Sequence, residues 1–116
     1  VSLRDRILAA VDIPEEVVHI PEWDVDILIR GLTGKARTGM VARASLTDGQ
    51  VDFQRIYPEL VIACTYDPES REPVFTADDE EFVMGKSGQA LDRIAEAAIR
   101  LSGMDAKAVD VAGKDS

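Results

Sequence analysis

The spacing of hydrophobic and polar positions changes several times along the chain. Leu3, Ile7 and Leu8 recur at helical intervals behind Ser2, with Asp5 three residues after that hydroxyl. A hydroxyl at the cap and an acid three positions on form a capping-box pattern, which predicts a short helix through Ala10 with those three residues as its apolar stripe. Pro14 closes this unit. The period then becomes two. Glu16–Ile20 and Val25–Gly31 are rich in β-branched residues, and Val25, Ile27 and Ile29 alternate with Asp26, Leu28 and Arg30. Joined by Pro21-Glu22-Trp23-Asp24, they predict a β-hairpin. A lone hairpin is marginal in water, so this one must pack on a helix or pair with another chain.

From Leu32 to Ser45 the pattern is helical but weak, because Gly34 and Gly39 each cost about 1 kcal/mol relative to alanine in a helix interior. Asp48-Gly49 signals a turn. Asp52 then reads as a cap for Phe53, Ile56, Tyr57, Leu60, Val61 and Cys64, the clearest amphipathic helix in the chain. Pro58 falls inside it. Either the helix kinks there or it begins late, near Tyr57, with the proline in its first turn. Tyr66 to Pro73 is turn-rich, and Val74-Phe75 is a candidate extended piece. Thr76 to Asp79 repeats the capping-box pattern and opens an acidic helix through Met84, stopped by Gly85. Ser87 caps a long helix with Leu91, Ile94, Ala95, Ala98 and Leu101 on one face, ended by Gly103. The expected fold is α+β and predominantly helical, with an N-terminal helix and a β-hairpin packed on a bundle of four or five helices. Residues 1–104 form a single globular domain. Residues 105–116 are a short C-terminal helix or a frayed tail.

Charge sharpens this picture. The chain carries 22 acids against 13 bases, a net charge of −9, which argues against nonspecific nucleic-acid binding. The imbalance is uneven. Residues 1–29 hold seven acids and two bases, and residues 47–82 hold ten and two. Between them, residues 30–46 hold Arg30, Lys35, Arg37 and Arg43 and no acid. That basic segment is either a docking patch for an acidic partner or is neutralised internally, with Arg37 and Arg43 facing the run Asp78–Glu81. Cys64 is the single cysteine, which permits no internal disulfide and suggests a cytosolic origin. No apolar run approaches the roughly 20 residues of a membrane span, and no basic segment followed by an apolar stretch marks a signal peptide.

Candidate chemistry is thin. Gly85-Lys86-Ser87 ends like a phosphate-binding loop, but Glu80 stands where the pattern needs its first glycine, and a helix rather than a strand precedes it. Gly31-Leu32-Thr33-Gly34 beside Lys35 and Arg37 has the form of an RNA-clamping Gly-x-x-Gly loop. The acidic balance and the interrupting Gly39 favour a plain strand-to-helix turn. Asp78-Asp79-Glu80-Glu81 reads as a solvated first helical turn, favoured by the helix dipole. His19 reads as a half-exposed strand residue and Cys64 as a small core hydrophobe. Ser87 lacks the context of a nucleophile. The expectation is no enzyme, no metal and no cofactor.

Several stretches belong together: Leu3 to Ala10 followed by Asp12-Ile13-Pro14, the hairpin segment Val18 to Trp23, and Arg30 to Gly34. Val51-Asp52-Phe53 through Tyr57 to Ile62 joins them, as do Tyr66-Asp67-Pro68, Pro73-Val74-Phe75 and Arg100 to Gly103. In this order they resemble the tail assembly chaperones of long-tailed, siphovirus-type bacteriophages of actinobacteria. Each motif is weakly specific, but their order covers nearly the whole chain. The resemblance implies a protein that binds the tape measure protein, keeps it soluble and promotes polymerisation of the tail tube (major tail) protein around it. It implies action in the host cytoplasm during assembly and absence from the mature virion. A longer frameshifted form is common in such phages, and Gly113-Lys114 is compatible with a slippery codon run. Self-association stays open, and neither nucleic acid nor membrane is an expected partner. The alternative is a small structural adaptor retained in the virion. The hairpin has apolar residues on more than one face, and the lone basic segment follows it. The expected partner-binding residues are therefore Trp23, Arg30, Lys35, Arg37 and Arg43, with the hairpin supplying part of the client surface.

Overall fold

The computed structural model describes residues 1–104, and the expected C-terminal helix or tail lies outside them. The chain runs α1 (Leu3–Ala9), β1 (Glu15–Ile20), β2 (Val25–Arg30), α2 (Gly34–Ala44), α3 (Phe53–Cys64), β3 (Thr65–Tyr66), a 3-10 turn (Ala77–Asp79), α4 (Glu80–Met84) and α5 (Gly88–Leu101). It is an α+β fold, mainly helical. The sheet is antiparallel throughout, in the order β1-β2-β3.

The register of the hairpin sorts its side chains into two faces. Val18 pairs with Ile27 and Glu16 with Ile29, while Val17 pairs with Leu28 and His19 with Asp26. Ile20, Ile27 and Ile29 join the core cluster, and α5 packs on both β1 and β2. Leu91, Ile94, Ala95 and Ala98 are buried along α5, as are Ala90 and Ala97. These small side chains let α5 sit close to α3 and to the hairpin. From α3, Ile56, Leu60, Val61 and Cys64 complete the centre, each without exposed surface. Removing surface of this kind from water is the main stabilising contribution of the fold.

Three caps act as the pattern predicts: the side chains of Ser2, Asp52 and Ser87 accept from the backbone N–H groups of Asp5, Gln54 and Ala90. Thr33, which the sequence pattern does not mark, does the same for Ala36 at the start of α2. The Asp79 carboxylate accepts from the Thr76 N–H at 2.8 Å, as a capping box requires. Gly49 and Gly103 take positive φ of 84° and 67°, in the 46–50 turn and after α5. There the absent Cβ removes a steric penalty.

The structure answers the expected pattern at three points. First, α3 begins at Phe53, capped by Asp52, so of the two alternatives Pro58 takes the place inside the helix and not the first turn of a late one. Its missing N–H leaves one ladder bond unmade, and burial of its ring offsets part of that cost. Second, Thr65–Tyr66 adds a third strand to β2, with Leu28 opposite Tyr66 and Ile29 opposite Thr65. Two residues are too few to show a period. The Val74 N–H donates to the Thr65 carbonyl, and Pro73 bridges Tyr66, so the expected extended piece lies alongside this short strand. Third, α1 forms but buries nothing. Leu3, Ile7 and Leu8 remain 72%, 63% and 67% exposed. Helical spacing reports which residues share a face and is silent on whether that face finds a partner.

Candidate functional site

The hairpin turn aims Trp23 toward the acidic helix. Asp24 completes the turn with a positive φ of 51°, a conformation aspartate tolerates better than most residues. The Trp23 N–H donates to the Ile20 carbonyl and fixes the tip. Trp23 packs against the core edge. With Phe75, Phe82, Val83 and Lys86 it lines a small, largely apolar cleft of about 150 Å³. Val83 forms the floor, buried, while Phe82 stands 63% exposed at the rim. The Lys86 ammonium lies 4.7 Å from the centre of the Phe82 ring, a cation–π contact that holds the ring upright. Asp78, Glu80 and Glu81 precede Phe82 on the same short helical segment, all exposed.

The four cations of the basic segment divide into two pairs. Arg30 lies at the far end of the hairpin from Trp23. Its guanidinium sits 5.1 Å over the Tyr66 ring, and its Nε is 3.3 Å from a Glu15 carboxylate oxygen without being aligned to donate to it. Arg43 reaches Glu59 on α3, with Nε donating to Oε1 at 3.0 Å. The internal compensation expected for Arg43 therefore exists, but with Glu59 rather than Asp78–Glu81, because α2 packs on α3. Lys35 and Arg37 are exposed on the first turn of α2 and form no ion pair among the described residues. Trp23 and the cations thus do not form one cluster. The cleft and the Lys35/Arg37 turn are separate features.

The hairpin offers less bare apolar surface than its sequence suggests. Ile27, Leu28 and Ile29 are all buried, and only Val17 and Val25 remain substantially exposed, at 56% and 42%. Ion pairs fasten its edges. Arg93 of α5 donates to both oxygens of Glu22 at 3.0 and 3.2 Å, Arg100 donates to Glu16 at 2.7 Å, and Arg71 donates to Glu15 at 2.7 Å. The Arg93 hydrogen bonds hold Glu22 below the usual carboxylate range, and those of Arg71 do the same for Glu15. His19 and Asp26 pair across the strands at 2.7 Å, on the exposed sheet face. Burial pushes the Cys64 thiol up to about 12, only partly opposed by a hydrogen bond with Ser102. It is a packed core atom and not a nucleophile at neutral pH. Gly31-Leu32-Thr33-Gly34 is a strand-to-helix turn with Thr33 as the cap of α2. Gly85 terminates α4 and Ser87 caps α5.

The sequence does not mark Phe75, Phe82 or Val83 as site residues. The signal for Phe82 was present, as a large aromatic directly after four consecutive acids with a lysine four residues on. Phe75 lies across a loop, and no local pattern links it to Trp23.

No family model and no curated protein matches the chain. Among solved structures, the fold is similar to that of the bacteriophage HK97 tail assembly chaperone, with a TM-score of 0.55 and 24% identity over 84% of this chain and 91% of that one. It is similar to the protein yqbn at the same TM-score of 0.55, with 17% identity over 83% of this chain and 90% of that one. At these identities the likeness is one of fold.

Proposed function

We propose that the chain is a phage tail assembly chaperone that binds the tape measure protein, keeps it soluble and promotes polymerisation of the tail tube protein around it. The observation that carries this reading is the fold it shares with the HK97 tail assembly chaperone, over 84% and 91% of the two chains. The ordered sequence motifs that resemble actinobacteriophage chaperones point the same way. The physical character of the surface suits the role. A strongly acidic exterior keeps a complex with an apolar client in solution, and the Trp23–Phe82 cleft and the Lys35/Arg37 turn provide apolar and cationic contacts for it. Among the described residues no helix is long and apolar enough to cross a membrane.

In this reading the protein acts in the host cytoplasm during assembly and leaves before the virion is complete. The test is co-expression with a tape measure protein from the same phage genome, followed by size exclusion with light scattering. Co-elution with a client that is insoluble alone supports the chaperone. Failure to associate, together with detection of the chain in purified particles by mass spectrometry, would replace it with a small adaptor retained in the virion.

A further inference from the structure

β1 is an outer strand, since the sheet order is β1-β2-β3. The Gly31 N–H donates to the Pro14 carbonyl at 2.9 Å, which sets the alternation of the ladder. In this register Glu16 and Val18 turn their backbone groups toward Ile29 and Ile27, while Glu15, Val17 and His19 turn theirs outward. Among the described residues no other segment bonds to those outward groups. A groove of about 440 Å³ runs along this edge. Residues 16–19 of β1 form one wall, and Arg93, Glu96, Ala97 and Arg100 of α5 form the other. Alternate residues of a strand face opposite sides, so only its open edge offers a run of consecutive residues to one groove. A strand edge facing a helix is a setting in which an extended segment adds to a sheet. After Glu16, β1 carries no lysine and no proline to discourage such pairing. We propose that residues 107–111 add to the open edge of β1 as a further strand, parallel to it, in this groove.

Reach and sequence select this occupant. Gly103 turns the chain at the end of α5. There the Ser102 hydroxyl accepts from the Leu32 N–H, one residue beyond Gly31, whose own N–H holds Pro14. Met104 therefore lies beside the entry to β1. α5 runs antiparallel to β1, with Arg93 on Glu22 and Arg100 on Glu16, so a segment returning along the groove from Met104 runs parallel to β1. The residues that follow read Asp105-Ala106-Lys107-Ala108-Val109-Asp110-Val111-Ala112. Val109 and Val111 are β-branched and alternate with Ala108, Asp110 and Ala112, the period of a strand. Extended chain from Met104 to Val111 spans up to about 24 Å, enough to follow the six residues of β1, which cover about 20 Å. With Val109 opposite Val17, both valines join the exposed Val17 on the outer sheet face, and Ala108 and Asp110 face α5. The charges of the groove balance, Arg93 and Arg100 against Glu16 and Glu96, and so do Lys107 and Asp110. A second copy would bring its whole −9 against this one, whereas a segment of the same chain is held at high effective concentration. Closed from within, β1 offers no template to another chain.

The experiment is amide hydrogen exchange on the full chain, read residue by residue by NMR at two protein concentrations. An edge left open exposes the Val17 and His19 amides to water. In the proposed pairing the Val17 N–H donates to the Ala108 carbonyl, and the Val17 carbonyl accepts from the Asp110 N–H. Both β1 amides are then expected to exchange about tenfold or more slower than unprotected ones. Ala108→Pro with Asp110→Pro removes the N–H groups that the segment donates and should return Val17 and His19 to unprotected rates. Gly113→Pro lies beyond the segment and should leave them slow. The amides of Ile29 and Ile94, both in the core, should stay slow in every form, which establishes that the body is folded. The proposal is overturned if Val17 and His19 exchange freely in the wild type, if they stay slow in the folded double-proline variant, or if Gly113→Pro releases them equally. Loss of their protection on dilution would overturn it as well, by assigning the edge to a second copy.

Discussion

Gly31 has no room for a side chain. A Cβ there would collide with the Leu101 carbonyl oxygen and stand 2.8 Å from its carbon, backbone atoms at the end of α5 that cannot swing away. Directly after it, the Leu32 N–H donates to the Ser102 hydroxyl at 2.9 Å, so the crossing is held as well as crowded. Gly34, three residues on, has nothing within 4 Å of the same construction. Gly31→Ala is therefore expected to destabilise the fold by about 1–3 kcal/mol, as overpacking does. Gly34→Ala should be neutral or stabilising by up to about 1 kcal/mol, through reduced freedom of the unfolded chain. Urea denaturation of the two variants reads the contrast directly. In the sequence these glycines are two ends of one Gly-x-x-Gly motif, indistinguishable by local chemistry. What separates them is a contact with residues 70 positions away, which no local pattern encodes.

Among the elements, the hairpin shows how little of its attachment is apolar alone. Ile27 and Ile29 seat on the core, while Glu22, Glu16 and Glu15 are clamped at the edges by Arg93, Arg100 and Arg71. The Arg93 and Arg71 hydrogen bonds lower the pKa of Glu22 and Glu15 from 4.5 in the folded state. A carboxylate depressed in this way contributes stability above its unfolded pKa and loses it as pH falls through the folded one. Thermal stability should accordingly hold from neutral pH to about 5 and decline below about 4.5, and Glu22→Gln should make the acid decline shallower. A series of melting curves from pH 7 to pH 3 would show an unchanged slope in the variant if the clamp were idle. The elements were legible wherever one period persisted, as in the hairpin, α3 and α5, and wherever a cap announced the start. The two residues of β3 were too short to carry a pattern. The bare stripe of α1 reads in sequence like that of any packed helix. The cleft was half legible. Trp23 stood out as a lone aromatic at a turn, but its neighbours Phe75 and Phe82 are brought to it only by tertiary packing.

Over the whole molecule, the basic segment proves to be two internal clamps and one exposed turn. Arg43 belongs to Glu59 and Arg30 to the Glu15–Tyr66 corner, which leaves Lys35 and Arg37 as its outward charges among the described residues. Sequence could show that four cations lie together in the chain. It could not show which of them the fold consumes, because their partners come from β1 and α3. Reversing Lys35 and Arg37 to glutamate should leave folding stability within about 0.5 kcal/mol. The same change should weaken association with an acidic client segment by about tenfold, more at low salt. A titration of client against both forms at two salt concentrations checks this, and equal affinity would remove that turn from the binding surface. The docking of the hairpin on α5 has a further consequence, for synthesis. The hairpin is complete at Arg30, yet the ion pairs that hold it reach Arg93 and Arg100, 71 and 84 positions from their partners. A nascent chain therefore carries Ile27 and Ile29 without their cover until almost the whole domain has been translated, and long-range closure of this kind slows folding. Because α5 must leave the ribosome before the hairpin can dock on it, the body closes only after synthesis has run well past the last of these partners.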